Sequence, residues 1–313
     1  MGNEGCFVSR DEWADVAVVV VTYNSARDIR NLVTDLRRDA RRLSLRLIVV
    51  DNDSTDNSAE IVAAETDVIL VRAGGNLGYA GGINRARRYI GRCTGVLVLN
   101  PDLRLRRYAI DELLNSLSGT GVGAVVPLNL FQHTDRIDPT LRREPSISRA
   151  FGDAIVGGHR LRRRPSWLSE TELRPERYTC AHSVDWAVGS ALLISADVER
   201  AVGNWNEDYF LYSEEIDYCR RIREQGRLIW FEPAAVVEHA GGGSGTSAAL
   251  AMLATVNRVR YIENCHSRPY AFAFRAVIAL TQAIRVYRPV PRATLQMVLY
   301  RERWRDLPHA TQS

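Results

Sequence analysis

An α/β fold built on a mostly parallel, Rossmann-like sheet flanked by helices, with a C-terminal helical extension, is what this sequence predicts, on three observations. Short runs of β-branched residues recur through the first half. Each run is followed by a segment whose apolar residues return at helical spacing, and the turns between them are short and polar. Repeated strand-helix-strand units of this kind place helices on both faces of a parallel sheet. The chain has 313 residues, 46% hydrophobic and 25% charged, which suits a folded domain with an ample core.

The elements follow in order. "VAVVVV" (Val16–Val21) is an uninterrupted β-branched run, the pattern of a strand covered on both faces. Ile29, Leu32, Val33, Leu36, Ala40 and Leu43 then mark one face of a helix. "RLIVVD" (Arg46–Asp51) reads as a second buried strand and "STDNSAEIVAAE" as a capped helix. "DVILV" (Asp67–Val71), a Gly/Asn turn, a helix near residues 80–90 and "GVLVLN" (Gly95–Asn100) continue the alternation. Residues 128–182 break it with Arg, Pro and Ser and read as an irregular segment. "VDWAVGSALLIS" (Val184–Ser195) resumes strand character, and "RLIWFEPAAVVEH" (Arg227–His239) reads as two short strands turning at Pro233. The expected organisation is an N-terminal extension (1–14), a domain over 15–245 with halves at 15–127 and 183–245, and a helical, arginine-rich region over 246–313.

Composition narrows the setting. The net charge is +4, and all 41 basic residues are arginine, whose planar fork suits phosphate recognition. Cys6, Cys93, Cys180, Cys219 and Cys265 form no C-x-x-C pair, which argues against a zinc knuckle or a disulfide framework and for a reducing compartment. Acidic residues precede the first apolar run, against a signal peptide, and Cys6 stands where a myristoylation motif needs Ser or Thr. No apolar run approaches 18 residues, so a cytoplasmic protein is expected and no nucleic-acid partner.

In open parallel sheets ligands bind beyond the carboxyl ends of the strands. The first strand ends in "TYNS" (Thr22–Ser25), the second in "DNDSTD" (Asp51–Asp56) and the fourth in "NPD" (Asn100–Asp102), which together describe a polar crevice. Asp51 and Asp102 follow strongly apolar strands and read as ligand contacts, whereas Ser25, Ser54 and Asp56 read as helix caps. "GGNLGYAGGINRA" (Gly74–Ala86) lets backbone approach a ligand, but it is not G-x-G-x-x-G, and the first strand-helix turn has no glycine. In "DYFLYSEEIDYCRR" (Asp208–Arg221) three carboxylates crowd a helix start. Either Ser213 caps that helix and Glu214 and Glu215 answer its dipole, or the carboxylates do chemistry.

Seven segments in order, "VVVTYNS", "IVVDNDSTD", "NLGYAGGIN", "LNPD", "VDWAVGSALLIS", "NEDYFLYSEEIDYCRR" and "PAAVVEHAGGGS", resemble inverting GT-A glycosyltransferases of family two, on the bacterial rhamnosyltransferase-like branch. The resemblance covers residues 16–245. It implies that Thr22, Tyr23, Asn24 and Asp51 line the nucleotide pocket, and that Asn76, Gly78, Gly82, Asn84, Arg85 and Asn100 serve the sugar-nucleotide. "NPD" stands where the family carries D-x-D; Asn100 cannot ionise, so Asp102 would be the main carboxylate for Mg2+ or Mn2+, completed by His239. The carboxylate motif usually reads E-D-x-D with the base second, so Glu215 would be the base, Asp217 its alternative. Trp186, Gly189, Ser190 and Glu214 would lie on the acceptor side. The branch implies dTDP-L-rhamnose as donor, with UDP-hexoses next, and a cell-surface glycan or polyprenyl-linked acceptor.

Some readings stay open. Arg160, Arg162, Arg163 and Arg164 would hold an acceptor diphosphate or stay solvated. The segment "RPYAFAFRAVIALTQAIRVYRPVPR" would lie on an anionic inner leaflet, pack as core or form a homodimer contact. A nucleotidyltransferase would need a glycine-rich, basic phosphate loop after the first strand, which "TYNSARD" is not. A non-catalytic nucleotide-sugar binder would be indifferent to Glu215 and Asp217.

Overall fold

The computed structural model describes residues 5–156, 165–239 and 247–310. Its strands are β1 (Ala14–Thr22), β2 (Leu45–Asp51), β3 (Ile69–Arg72), β4 (Cys93–Leu99), β5 (Leu103–Leu105), β6 (Val122–Phe131), β7 (Leu141–Arg142), β8 (His182–Val184), β9 (Trp186–Ala187), β10 (Ala191–Ser195) and β11 (Leu228–His239). The helices are α1 (Ile29–Asp39), α2 (Ser58–Ala63), α3 (Gly78–Ala86), α4 (Ala109–Leu117), α5 (Ile147–Val156), α6 (Ala196–Val202), α7 (Glu214–Glu224), α8 (Ala248–Cys265), α9 (Arg268–Ala283) and α10 (Pro289–Leu299).

Nine strands form one sheet in the order β3-β2-β1-β4-β10-β6-β11-β5, with β8 also on β11. β1, β2, β3, β4, β6 and β11 run the same way. β5, β8 and β10 are reversed. The valines of β1 are buried because helices cover both faces, as continuous apolar strands require. One core layer joins Ile29, Leu32 and Leu36 of α1 to β1, β2 and α4. The opposite layer joins Ile83 of α3 and Ile216 and Ile222 of α7 to Tyr261 of α8, Phe274 and Ile278 of α9 and Val298 of α10. The C-terminal helices therefore share a core with the helix that carries the three carboxylates.

Two local expectations are corrected. β11 is one twelve-residue strand, not two, because a register shift between Glu232 and Val236 absorbs Pro233. A bulge tolerates a residue without an amide donor where a regular ladder would not. Neither α1 nor α2 has a side-chain cap. Ser54 instead accepts from the Asn24 amide at 3.0 Å, and Ser58 from the Ser25 amide at 2.7 Å. Asp56 accepts from the amides of Ala26 and Ser58, both at 3.0 Å. These groups tie the loops after β1 and β2 together, holding two strand ends as one unit.

The two faces of α9 give a direct check on this packing. Phe274 is fully buried and Phe272 is 75% exposed. Phe274→Ala is expected to cost about 3–5 kcal/mol in denaturant unfolding, while Phe272→Ala changes stability by less than about 0.5 kcal/mol. Equal effects would contradict the docking of α9 against α5, α8 and α10.

Candidate active site

The parallel strands all deliver their carboxyl ends to one edge. In the register of β1 and β2, Thr22 lies abreast of Asp51. Both are buried, and the Thr22 hydroxyl donates to Asp51 at 3.3 Å. The second Asp51 oxygen accepts from the Ser54 amide at 3.2 Å, which fixes the carboxylate at the mouth of the sheet. Tyr23 follows with its ring half exposed. Asn24 sits in the left-handed region, where its carbonyl accepts from the Thr55 amide at 2.8 Å. Asn76 closes the next turn, accepting from the Gly78 amide at 3.0 Å.

Further along the edge, Asp102 and His239 meet. His239 ends β11 opposite Leu103 of β5, so strand pairing brings it beside the residue preceding that strand. Its Nε2 lies 3.1 Å from Asp102 and its Nδ1 3.5 Å from Asp138. The bond to Asp102, then that to Asp138, raises His239 to about 9, so in this arrangement it is an imidazolium between two carboxylates. Asp102 Oδ1 is buried with no hydrogen-bond partner. A proton here supplies the positive charge that a divalent cation would bring, and an oxygen remains to receive one. Asp138 was not singled out in the sequence, because it lies in the irregular segment and follows no clear strand.

The three carboxylates of α7 have three different surroundings. Glu215 turns toward the loop before β10, where the Gly189 amide donates to its Oε1 at 3.1 Å. A side chain at position 189 would overlap Glu215, so glycine is needed for this approach. The same loop is tied to the end of β4 by the Asn100 amide, which donates to Ser190 O at 2.9 Å. Asp102 and Glu215 are thereby joined to one strand edge through Asn100, Ser190 and Gly189. Burial raises Glu215, while the amides of Glu215, Gly189 and Ser213 pull it back. Glu214 is completely buried, with both oxygens unpartnered. Burial, then the adjacent Glu215, raises its pKa well above that of an ordinary glutamate, against the pull of backbone amides. Asp217 pairs with Arg221 at 2.9 Å, one turn along the helix, and is committed to that ion pair.

The backbone entering α7 is strained. Phe210, Tyr212 and Ser213 all have positive φ, a region costly for such residues. Ser213 therefore does not cap the helix with its side chain, contrary to expectation. The loop is braced from α8: the Asn257 amide, fully buried, donates to the carbonyls of Tyr209, Leu211 and Tyr212 at 2.7, 2.9 and 3.1 Å. Gly78, also at positive φ, lies against Phe210, whose carbonyl accepts from the Tyr79 amide at 2.7 Å. Asn257 stands out in sequence only as a polar residue within an apolar helix.

Several of the remaining expected residues have structural partners of their own. Asn84 clamps the loop at Trp205, its side chain donating to that carbonyl at 2.9 Å and accepting from that amide at 2.8 Å. Gly82 serves close packing of α3 on β1, since a side chain there would strike Val21. Arg85 is exposed in the last turn of α3, roughly 10 Å along the axis from Gly78. Ser190 is buried and accepts from Asn129. Trp186 is buried, its indole donating to Arg143 O at 3.1 Å. Arg160, Arg162, Arg163 and Arg164 lie outside the described residues. A cavity of about 150 Å3 opens at Glu215, lined by Trp186, Val188, Tyr212 and residues of α8.

The profile of Glycosyl transferase family 2 matches residues 17–165. The low-salt glycan biosynthesis hexosyltransferase Agl10 of Haloferax volcanii is 30% identical over 70% of this chain, and the match spans 65% of that relative's length. The N-acetylglucosaminyl-diphospho-decaprenol L-rhamnosyltransferase of Mycobacterium tuberculosis is 28% identical over 88% of this chain and 94% of its own. Among solved structures, the mannosyltransferase PcManGT from Pyrobaculum calidifontis, in complex with GDP-Man and Mn2+, has a TM-score of 0.56 at 16% identity, covering 96% of this chain and 79% of that one. Its likeness shows the GT-A fold. Over residues 17–165 the chain is thus similar to glycosyl transferase family 2, and rhamnosyltransferases are among its relatives.

Proposed function

We propose that this chain transfers a sugar from a nucleotide diphosphate donor to a hydroxyl of a glycan or lipid-linked acceptor, with inversion and with Glu215 as the general base. The observation that carries this reading is the Glu215 carboxylate, held by the Gly189 amide in a cavity at the sheet edge that also carries Asp102 and His239. The name of the mycobacterial relative supports L-rhamnose as the sugar, hence dTDP-L-rhamnose as donor, and a lipid diphosphate sugar as acceptor. The name of the haloarchaeal hexosyltransferase supports another hexose as the alternative sugar.

In this reading Thr22, Tyr23, Asn24 and Asp51 receive the nucleoside, Asp51 accepting from a base N–H. Among the described residues no three His, Cys, Asp or Glu side chains are arranged to hold a metal ion. Two protein ligands suffice for a cation that also takes water and diphosphate oxygens. Asp102, with its orphan oxygen, and His239, which would have to release the proton it holds between Asp102 and Asp138, fit that role for Mg2+ or Mn2+, and the cation would neutralise charge building on the leaving diphosphate. Glu215 takes the acceptor proton as the new C–O bond forms, on the face opposite the leaving group. Burial disfavours a second negative charge on Glu214 beside the base. Asp217 is occupied by Arg221 and takes no part.

Glu215→Gln is expected to keep nucleotide binding and lower kcat by roughly 10²–10⁴-fold, the usual contribution of a general base. Near-normal turnover in that variant would remove Glu215 from the role. The wild-type rate should fall as pH drops through the Glu215 pKa, at a midpoint above that of an ordinary glutamate, because burial raises it and the base works ionised. That acidic limb should vanish from the residual rate of Glu215→Gln.

Among the described residues no helix is long and apolar enough to cross a membrane. Peripheral contact is proposed through Phe272, Ile284 and Tyr287, all well exposed, beside the exposed Arg288 and Arg292. Removing α9 would strip the core, so surface substitution is the cleaner test. Phe272→Ser with Ile284→Ser and Tyr287→Ser should abolish flotation with anionic vesicles without lowering Tm. A wild-type protein that never floats would reject the contact.

A further inference from the structure

The cavity at Glu215 carries a second, unassigned pair of groups. Arg258 of α8 donates through Nη2 to Glu170, which is buried, and both side chains line the cavity with Trp186, Val188, Tyr212 and Glu215. Arg258 Nε is buried and has no hydrogen-bond partner. The surrounding protein closes Nε off from solvent, so a ligand in the cavity meets the pair through the parts of the guanidinium and carboxylate that line it. The ion pair is net neutral. A phosphate arriving here would face Glu170 as well as Arg258, and Glu215 beyond, so anion binding is disfavoured. A polyol suits it: each hydroxyl can donate to a carboxylate while accepting from a guanidinium. The volume, about 150 Å3, equals the liquid share of about five waters. That is room for one pyranose unit, with the apolar faces of Trp186 and Val188 for its C–H surface.

Resting on the transferase reading above, we infer that Arg258 and Glu170 form the binding subsite for the terminal sugar of the acceptor, reading its hydroxyls and turning one of them toward Glu215. The acceptor's sugar, not its phosphate, is then what this cavity selects. A site built to hydrogen-bond a hydroxyl rejects an acceptor lacking it far more strongly than an apolar pocket does. Arg258 also comes from the C-terminal helices, which places acceptor choice on a part of the chain remote in sequence from the strand ends that serve the donor.

The test uses the full chain with two acceptors, N-acetylglucosaminyl-diphospho-prenol and an alkyl N-acetylglucosaminide without the diphosphate. Arg258→Met and Glu170→Gln are expected to raise the acceptor KM by roughly 10–100-fold, the worth of a hydrogen bond to a charged group. The rise should be the same for both acceptors, dTDP affinity by calorimetry should not move, and Arg258→Lys should recover part of the loss. A rise confined to the diphosphate acceptor would overturn the inference in favour of phosphate binding. Unchanged acceptor KM, or a parallel loss of dTDP affinity, would overturn it too and leave the transferase reading standing. A wild-type protein that transfers to neither acceptor would bring down the acceptor reading itself and this subsite with it.

Discussion

The contact between the Gly189 amide and Glu215 is the constraint on which the site depends. As the proposed base, Glu215 must be ionised to work, yet burial opposes ionisation, and the amides of Glu215, Gly189 and Ser213 offset part of that opposition. The Gly189 amide belongs to the short loop that the end of β4 also holds, through Asn100 and Ser190. One loop therefore sets the separation between the base and the edge where Asp102 and His239 meet. Glycine at 189 follows from the same geometry, since any side chain would occupy the space of the carboxylate. Tyr79 completes the arrangement from the opposite side, its hydroxyl donating to Gly189 O at 3.2 Å.

Holding Glu215 there has consequences further along the chain. The residues before α7 adopt three positive φ values, and such strain persists only when surrounding structure over-determines it. Asn257 supplies that over-determination from α8, and Phe210 leans on the turn at Gly78. The turn at Gly78, helix α7 and the C-terminal helices thus pack as one body. An α8 that only decorated the domain would have no reason to bury an asparagine at its centre.

Much of the framework was legible in the sequence because the forces that set it are local. The valines of β1, the spacing of α1 and the polar ends of β1, β2 and β4 all report a sheet covered on both faces with a crevice at one edge. Strand register then placed Thr22 beside Asp51 and His239 near Asp102. What was hidden depends on contacts distant in sequence. Asp138, Glu170, Asn257 and Arg258 sit in an irregular segment and a tail without motif, and only tertiary packing brings them to the site. Ser54 and Asp56 carried a helix-cap signature yet bridge two loops, since a neighbouring strand end offered closer donors than the helix start. Arg85 and Asn84 lay within a glycine-rich motif, but helical geometry turns one to solvent and the other to Trp205. Asp217 shared a charged cluster with Glu215, and only its pairing with Arg221 separates the two.

The central claim is that a single ionised carboxylate stands across the cleft from the leaving diphosphate, so substitution occurs in one step from the opposite face. The most direct measurement is the anomeric configuration of the first product, read by proton NMR before any mutarotation or rearrangement. This account predicts the configuration opposite to that of the donor. A product that retains the donor's configuration would contradict it, because one-step attack aided by Glu215 cannot produce that outcome.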